Sequence, residues 1–321
     1  MQIGIIGTGR HGTRYAEHIV KDVPGLTLAA ISRRSEAGQE QARAWRARYH
    51  ADWRELVRDP LVEAVIAVTP PVLHVAIARL CVAAGKPLLL EKPLAIDSSC
   101  GSEIVNLCAD AGLPLTVGQT LRYNTIIQGL RRALPRVGAL YSFSASHRLE
   151  PSTLPWLEKA ETAGAGVILH TGVHLFDALR FITGLEIRRV RCCKFQIHNP
   201  GLEDLFTAQV EMTNGVVGTV DSSKVGRGRS GRYEFVGLNG ELHGDQVLGR
   251  LEFIEGSRCI PVEHVPPDKA IVPLLHDWLA FLRGEAPNPV SGGEGLAALR
   301  VCDACLRSAR LGDWAAVKTE N

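Results

Sequence analysis

The feature that most constrains this chain stands at its start. Ile3, Ile5 and Ile6 form a short apolar run, and Gly7-Thr8-Gly9-Arg10-His11-Gly12 follows at once, opening a helical stretch to about residue 20. Alone, G-x-G-x-x-G is a weak signal; between a strand and a helix it acquires a physical meaning. Gly7 permits a tight turn, Gly9 lets the backbone approach a pyrophosphate, and Gly12 lets helix and strand pack closely. The helix start adds amide donors and the positive end of its dipole. Gly7, Thr8, Gly9, Arg10, His11 and Gly12 are therefore the first candidate dinucleotide contacts.

The pattern then alternates. Strands are expected over residues 26–31, 64–68, 87–90 and 115–117, with helices over 75–84 and 98–111 that stop at Gly85 and Gly112. Such alternation is the mark of a doubly wound parallel α/β sheet, which binds ligands at the carboxyl ends of its strands. One strand ends in Thr69-Pro70-Pro71 with His74 opening the next helix. Another is Leu88-Leu89-Leu90, ending in Glu91-Lys92-Pro93. A Lys-Pro turn can simply close a strand, but at a ligand-binding edge Lys92 becomes a candidate for chemistry. Thr69, Pro70, His74, Glu91, Lys92 and Gln119 join the cofactor contacts on this ground. The first domain is expected over residues 1–121 and a second over 122–321.

The strand over 26–31 ends in Ser32-Arg33-Arg34. About 20 residues past the glycine pattern, an NAD site carries an acidic residue for the ribose 2′-hydroxyl. No carboxylate stands there. A carboxylate would repel a 2′-phosphate, whereas Ser32, Arg33 and Arg34 would hold one. The two arginines could instead begin a solvated helix, since Arg43, Arg46 and Arg48 follow. The missing acid favours NADP(H), with NAD(H) as the alternative.

Beyond residue 122 the period changes. After a helix to about residue 133, strand patterns recur over 139–146, 190–196, 205–212, 216–222, 233–238 and 251–254, some separated by Asn214-Gly215 and Asn239-Gly240. This predicts a mostly antiparallel sheet. Helices are expected over 167–183, 274–282 and 293–310. Arg227 to Arg232, basic and glycine-rich, reads as a flexible, solvated loop.

These residues resemble the Gfo/Idh/MocA oxidoreductases, the relatives of glucose-fructose oxidoreductase and inositol dehydrogenase. The resemblance rests on the amino-terminal glycine loop, Thr69-Pro70-Pro71 with His74, Ala84-Gly85-Lys86-Pro87 leading to Glu91-Lys92-Pro93-Leu94, and Gly164-Ala165-Gly166 through Gly172, His174 and Asp177. It implies a Rossmann domain followed by an α/β domain with a large open sheet. It also implies that Lys92 touches nicotinamide and substrate, that the Lys92–Pro93 bond is cis, and that the open sheet face assembles a homodimer or homotetramer. One position departs. Relatives usually carry an aspartate where this chain has His170.

His170, His174 and Asp177 lie at i, i+4 and i+7, on one face of a regular helix. Two histidines at that spacing could hold a metal, but no H-E-x-x-H glutamate and no third ligand accompany them, so no metal is expected. Asp177 is expected to be a structural partner. Lys92 is the expected proton donor and acceptor in the transfer of a hydride to or from a sugar, cyclitol or related hydroxy or keto compound, with His174 orienting the substrate oxygen. Lys92, His170 and His174 are thus the catalytic candidates, and with Arg122, Tyr123 and His147 the substrate contacts; Arg148 and Trp156 lie near them in sequence. Two rivals share the fold: a catalytically silent nucleotide-binding regulator, and a glycosidase-like member using tightly held NAD.

Composition narrows the partners. Lys plus Arg at 36 against Asp plus Glu at 34 leaves a net charge of +2, which gives no reason to expect nucleic acid or a membrane surface. No apolar run is expected to approach the roughly 18 residues of a membrane helix, and the start lacks a secretory n-region. The eight scattered cysteines, Cys302-x-x-Cys305 among them, fit reduced thiols. A small-molecule substrate and a cytoplasmic location are expected.

Overall fold

A computed structural model describes residues 1–152, 155–265 and 269–318. The chain divides into two compact units, one made of Met1–Gln119 with Lys269–Leu296, the other of Thr120–Asp268 with Ala297–Asn321. The expectation of a single break after residue 121 misses the return of 269–296 to the first unit.

In the first unit, β1 (Gln2–Ile6), α1 (Arg10–Lys21), β2 (Thr27–Ser32), α2 (Ala37–Trp45), β3 (Arg48–His50), α3 (Trp53–Arg58), β4 (Ala64–Ala67), α4 (His74–Ala83), β5 (Leu88–Glu91), α5 (Ser98–Asp110) and β6 (Leu115–Gly118) succeed one another. The six strands are all parallel, in the order β3-β2-β1-β4-β5-β6. This is the Rossmann arrangement, whose switch of direction between β1 and β4 opens a crevice at the strands' carboxyl ends. β4 and β5 are buried along their whole length, as a strand covered on both faces must be. Residues 269–296 belong here because they pack on β6. Asn288 donates to the Leu115 carbonyl at 2.8 Å and accepts from the Thr116 hydroxyl at 2.9 Å.

The second unit holds α6 (Thr125–Ala133), β7 (Leu140–Arg148), α7 (Ala160–Ala163), a π-helical turn (Ile168–Gly172), α8 (Val173–Thr183) and strands β8 (Ile187–Phe195), β9 (Leu205–Met212), β10 (Val217–Ser223), β11 (Ser230–Gly237), β12 (Gly240–Asp245), β13 (Arg250–Glu255), β14 (Arg258–Pro261) and β15 (Ala315–Ala316). Their order is β14-β13-β12-β11-β7-β10-β9-β8-β15, antiparallel except for β7 beside β10. Asn124 caps α6 by accepting from the amides of Ile126 and Ile127. The basic stretch 227–232 is not all loop, since Ser230 to Arg232 lie in β11. Ala160–Thr183 is long and apolar enough to cross a membrane by length and composition, contrary to the expectation that no such run exists; 83% of its most apolar window is buried in the protein, which makes it the unit's core helix.

Candidate active site

The glycine loop has the shape its sequence demands. Gly7 has φ +91°, and a Cβ there would stand 2.3 Å from the Val68 carbonyl oxygen. A Cβ at Gly12 would stand 2.0 Å from the Gly7 oxygen, whereas one at Gly9 would meet nothing within 4 Å. Gly7 and Gly12 are thus needed for packing, and Gly9 keeps open space in front of the backbone. α1 starts at Arg10, directly behind that space, with no side chain capping it and no acid in its first turn. Its first amides remain available to an anion.

Thr8 is held from behind. Its buried hydroxyl donates to Gln41 Oε1 at 2.8 Å, and its carbonyl accepts from Arg33 Nη1 at 2.9 Å. Arg33 also reaches the Ser35 hydroxyl at 2.7 Å. Arg33 therefore braces the glycine loop, while Arg34 stays exposed beside it. Ser32 is buried, and its carbonyl accepts from the Gly7 amide at 2.8 Å. Gln41 lies on α2, 33 residues from Thr8, and no local signal could have revealed it.

The end of β5 is more elaborate. Glu91 is buried, and its Oε1 accepts from the Tyr15 hydroxyl at 2.5 Å and from His11 Nε2 at 3.0 Å. Its Oε2 accepts from the Lys92 amide at 3.1 Å. Burial pushes the Glu91 carboxyl up, but the bond and charge of His11, the charge of Lys92 and the Tyr15 bond outweigh it, holding the group below its usual range. Lys92 is half-buried and its peptide with Pro93 is cis. Loss of water lowers its proton affinity from lysine's ordinary value, against the opposing charge of Glu91.

His74 does something other than expected. Its ring is fully buried between the carbonyls of Leu94, 3.0 Å from Nδ1, and Thr69, 3.2 Å from Nε2. It joins the loops after β4 and β5 rather than facing a ligand, and burial lowers its proton affinity. The ligand-facing signal falls on Thr69 and Gln119. The Thr69 hydroxyl and both amide atoms of Gln119 are buried without a hydrogen-bond partner among the described residues. Orphaned polar atoms cost about 1–3 kcal/mol each. Finding them at the ends of β4 and β6, beside an open glycine loop, fits a dinucleotide resting on this edge.

In the second unit the helix face expected to hold His170, His174 and Asp177 is broken up, because the π-turn widens the helix at His170. His170 is buried, donates from Nε2 to the Ala163 carbonyl at 2.8 Å, and meets Trp156 edge-on at 5.3 Å between centroids. His174 faces the ring of His147, on β7, at 6.5 Å. Asp177 turns to Arg122, whose Nε and Nη2 donate to it at 2.9 and 2.6 Å, both side chains buried. Arg122 is therefore a structural counter-ion rather than the expected substrate contact. Tyr123 closes the 3-10 turn that carries Arg122, and Arg148 pairs with Asp221 at 2.8 Å. Glu203 had no sequence signal. It caps the helix by accepting from the amides of Gly166 and Ile168 at 2.9 and 3.2 Å, and with Ser152, His170, His198 and Lys224 it lines a cavity of about 650 Å³.

The model for the oxidoreductase family with an NAD-binding Rossmann fold matches residues 1–119, and that for the GFO/IDH/MocA C-terminal domain matches 133–243. An inositol 2-dehydrogenase of Saccharopolyspora erythraea is 30% identical over 99% of this chain and 96% of its own length. The chain belongs to the Gfo/Idh/MocA family of oxidoreductases. An inositol 2-dehydrogenase of Rubrobacter xylanophilus is 29% identical, covering 99% of this chain and 93% of that one. A levoglucosan dehydrogenase solved with NADH superposes with a TM-score of 0.88 over 100% of both chains at 21% identity, a likeness of fold. As a Gfo/Idh/MocA member the chain is a nicotinamide-dependent oxidoreductase acting on CH–OH or C=O groups. Within the Gfo/Idh/MocA pattern its His170, tied to a backbone carbonyl, is the departure to explain.

Proposed function

We propose that this protein interconverts a ring hydroxyl and the matching ketone on a cyclitol or sugar, with Lys92 moving the proton. The observation that carries the reading is Lys92 itself, at the carboxyl end of β5, its proton affinity lowered by burial and tuned by Glu91. The bound nicotinamide supplies the hydride acceptor or donor at its C4. Lys92 in its neutral form takes the hydroxyl proton, and in its charged form polarises the carbonyl oxygen and returns it. In the second unit, His174 and His147 present paired rings suited to orienting substrate oxygens. The cavity of about 650 Å³ beside His170 lies in the size range of small-molecule sites and is ample for a polyol. Curated relatives named for inositol oxidation support the cyclitol class.

The cofactor proposed is NADP(H) over NAD(H). Support comes from the absence of an acid at the end of β2 and from exposed Arg34 beside it, since a guanidinium suits a 2′-phosphate. The test is a screen of inositols and sugars by nicotinamide absorbance, with each cofactor, for wild type and Lys92→Ala. Turnover by the wild type, lost in the variant, is the expected result. Tighter binding of NADH than NADPH would overturn the cofactor preference. Clear dinucleotide binding with no turnover of any polyol would overturn the enzyme reading in favour of a silent regulator.

A further inference from the structure

His11 is the one residue of the glycine loop whose side chain reaches the reactive strand. It sits in the first turn of α1, yet its Nε2 lies 3.0 Å from Oε1 of Glu91, 80 residues away and directly before Lys92. The two ends of this contact differ in exposure. The His11 side chain is 40% exposed and that of Glu91 6%, so one end meets solvent and the other a buried charge. Tyr15 completes the cluster, bonding the same oxygen and meeting the His11 ring edge-on at 5.5 Å. A Cβ at Gly118 would stand 2.8 Å from Glu91 Oε1, so β6 holds the carboxylate in place from the other side.

The geometry points to His11 as a proton-coupled anchor of the dinucleotide: binding of the pyrophosphate at the start of α1 draws a proton onto His11, which Glu91 holds as its counter-ion. This rests on the reading that α1 carries the pyrophosphate, itself supported by the open space at Gly9 and by the start of α1, which has no side-chain cap and no acid in its first turn. Histidine titrates in the range where one nearby anion decides its charge. Among the described residues Glu91 is such a neighbour of His11; the phosphates of a bound dinucleotide would add to the same side of the balance.

The other groups facing the cluster do not compete. Tyr15, on α1, has its hydroxyl pushed well above its usual range by burial, so it stays protonated. Arg10 and Arg14, on α1, carry permanent charge. His74, from α4, feels Glu91, and burial lowers its proton affinity. Lys92, on the loop after β5, would be driven to release a proton to solvent by the positive charge of an oxidised nicotinamide, so the reduced dinucleotide is the cleaner probe. The sign follows. A group whose proton affinity rises on binding favours binding below its free titration point, and that gain is lost as pH rises through its bound titration point.

The test is calorimetric titration of the whole protein with NADPH, and with NADH, in buffers of different ionisation heat across about pH 5 to 9. Wild type is expected to take up as much as about one proton per dinucleotide, with Kd weakening by up to about tenfold per pH unit inside the window. His11→Gln keeps a donor to Glu91 but cannot titrate, and its Kd should lose this dependence and its proton uptake. If that variant fails to fold, the histidine ring signals of nitrogen-labelled wild type report directly, His11 titrating at higher pH when NADPH is bound. Undiminished uptake in His11→Gln, a pH-independent Kd in wild type, or an unmoved His11 titration would each overturn the inference while leaving dinucleotide binding intact. Failure of both dinucleotides to bind would overturn it together with the function it rests on.

Discussion

Two buried carboxylates stand beside the two sets of candidate catalytic groups, and they are neutralised in opposite ways. Glu91, next to Lys92, is met by a tyrosine hydroxyl, a histidine ring and a backbone amide. Asp177, three residues after His174, is gripped by two donors of Arg122, with Arg180 at 3.9 Å. An arginine fork cannot release its charge, so Asp177 is a fixed structural ion. Histidine can, so the electrostatic influence of Glu91 on Lys92 remains adjustable. Burial alone does not make a carboxylate functional; the titratability of its partners does.

The sharpest way to break this contrast is Lys92→Ala. Turnover should fall by about 10²- to 10⁴-fold with dinucleotide affinity retained, read by steady-state kinetics beside fluorescence titration. Retained turnover would move the chemistry away from Glu91's side. Next in size is Arg122→Leu, which strands Asp177 without its counter-ion. A loss of about 3–5 kcal/mol is expected in denaturant unfolding, and Arg122→Leu with Asp177→Leu should recover much of it.

Gly12→Ala should cost roughly 1–3 kcal/mol, because its Cβ collides with the Gly7 oxygen. Gly9→Ala should leave stability within about 0.5 kcal/mol yet weaken dinucleotide binding, since the methyl enters open space. Equal stability losses for the two would refute the division of labour in the loop. The mildest change is Glu91→Gln. Removing its charge removes the force that raises Lys92's proton affinity, so the rising limb of the oxidation pH profile should move to lower pH. A limb moving upward would contradict the tuning role given to Glu91.

Much of this was legible locally. The three glycines lie within six residues; Gly7 and Gly12 show the tight turn and the close packing their positions predict, and Gly9 leaves open space. The parallel strands of the first unit announce themselves because strands covered on both faces must be continuously apolar. Local signals failed where pairing, not hydrophobicity, makes the element. β3 is Arg-Tyr-His and β12 is Gly-Glu-Leu-His-Gly-Asp; both are held by their neighbours in the sheet and carry little apolar pattern of their own. The candidate face at His170, His174 and Asp177 assumed a regular helix, and the π-turn at Ile168–Gly172 divided it.

By itself the sequence determined the Rossmann unit, the mostly antiparallel second sheet and the place of Lys92 at a strand's carboxyl end, because each follows from short-range spacing and burial period, while the family entered through the resemblance of its motifs. Only the tertiary structure decided what the charged groups do. It bound Arg122 to Asp177, set His74 between two carbonyls, turned Arg33 to the back of the glycine loop and brought His11 to Glu91. Those contacts join residues far apart in the chain, and which partner a buried charge finds is decided by packing, which no local pattern encodes.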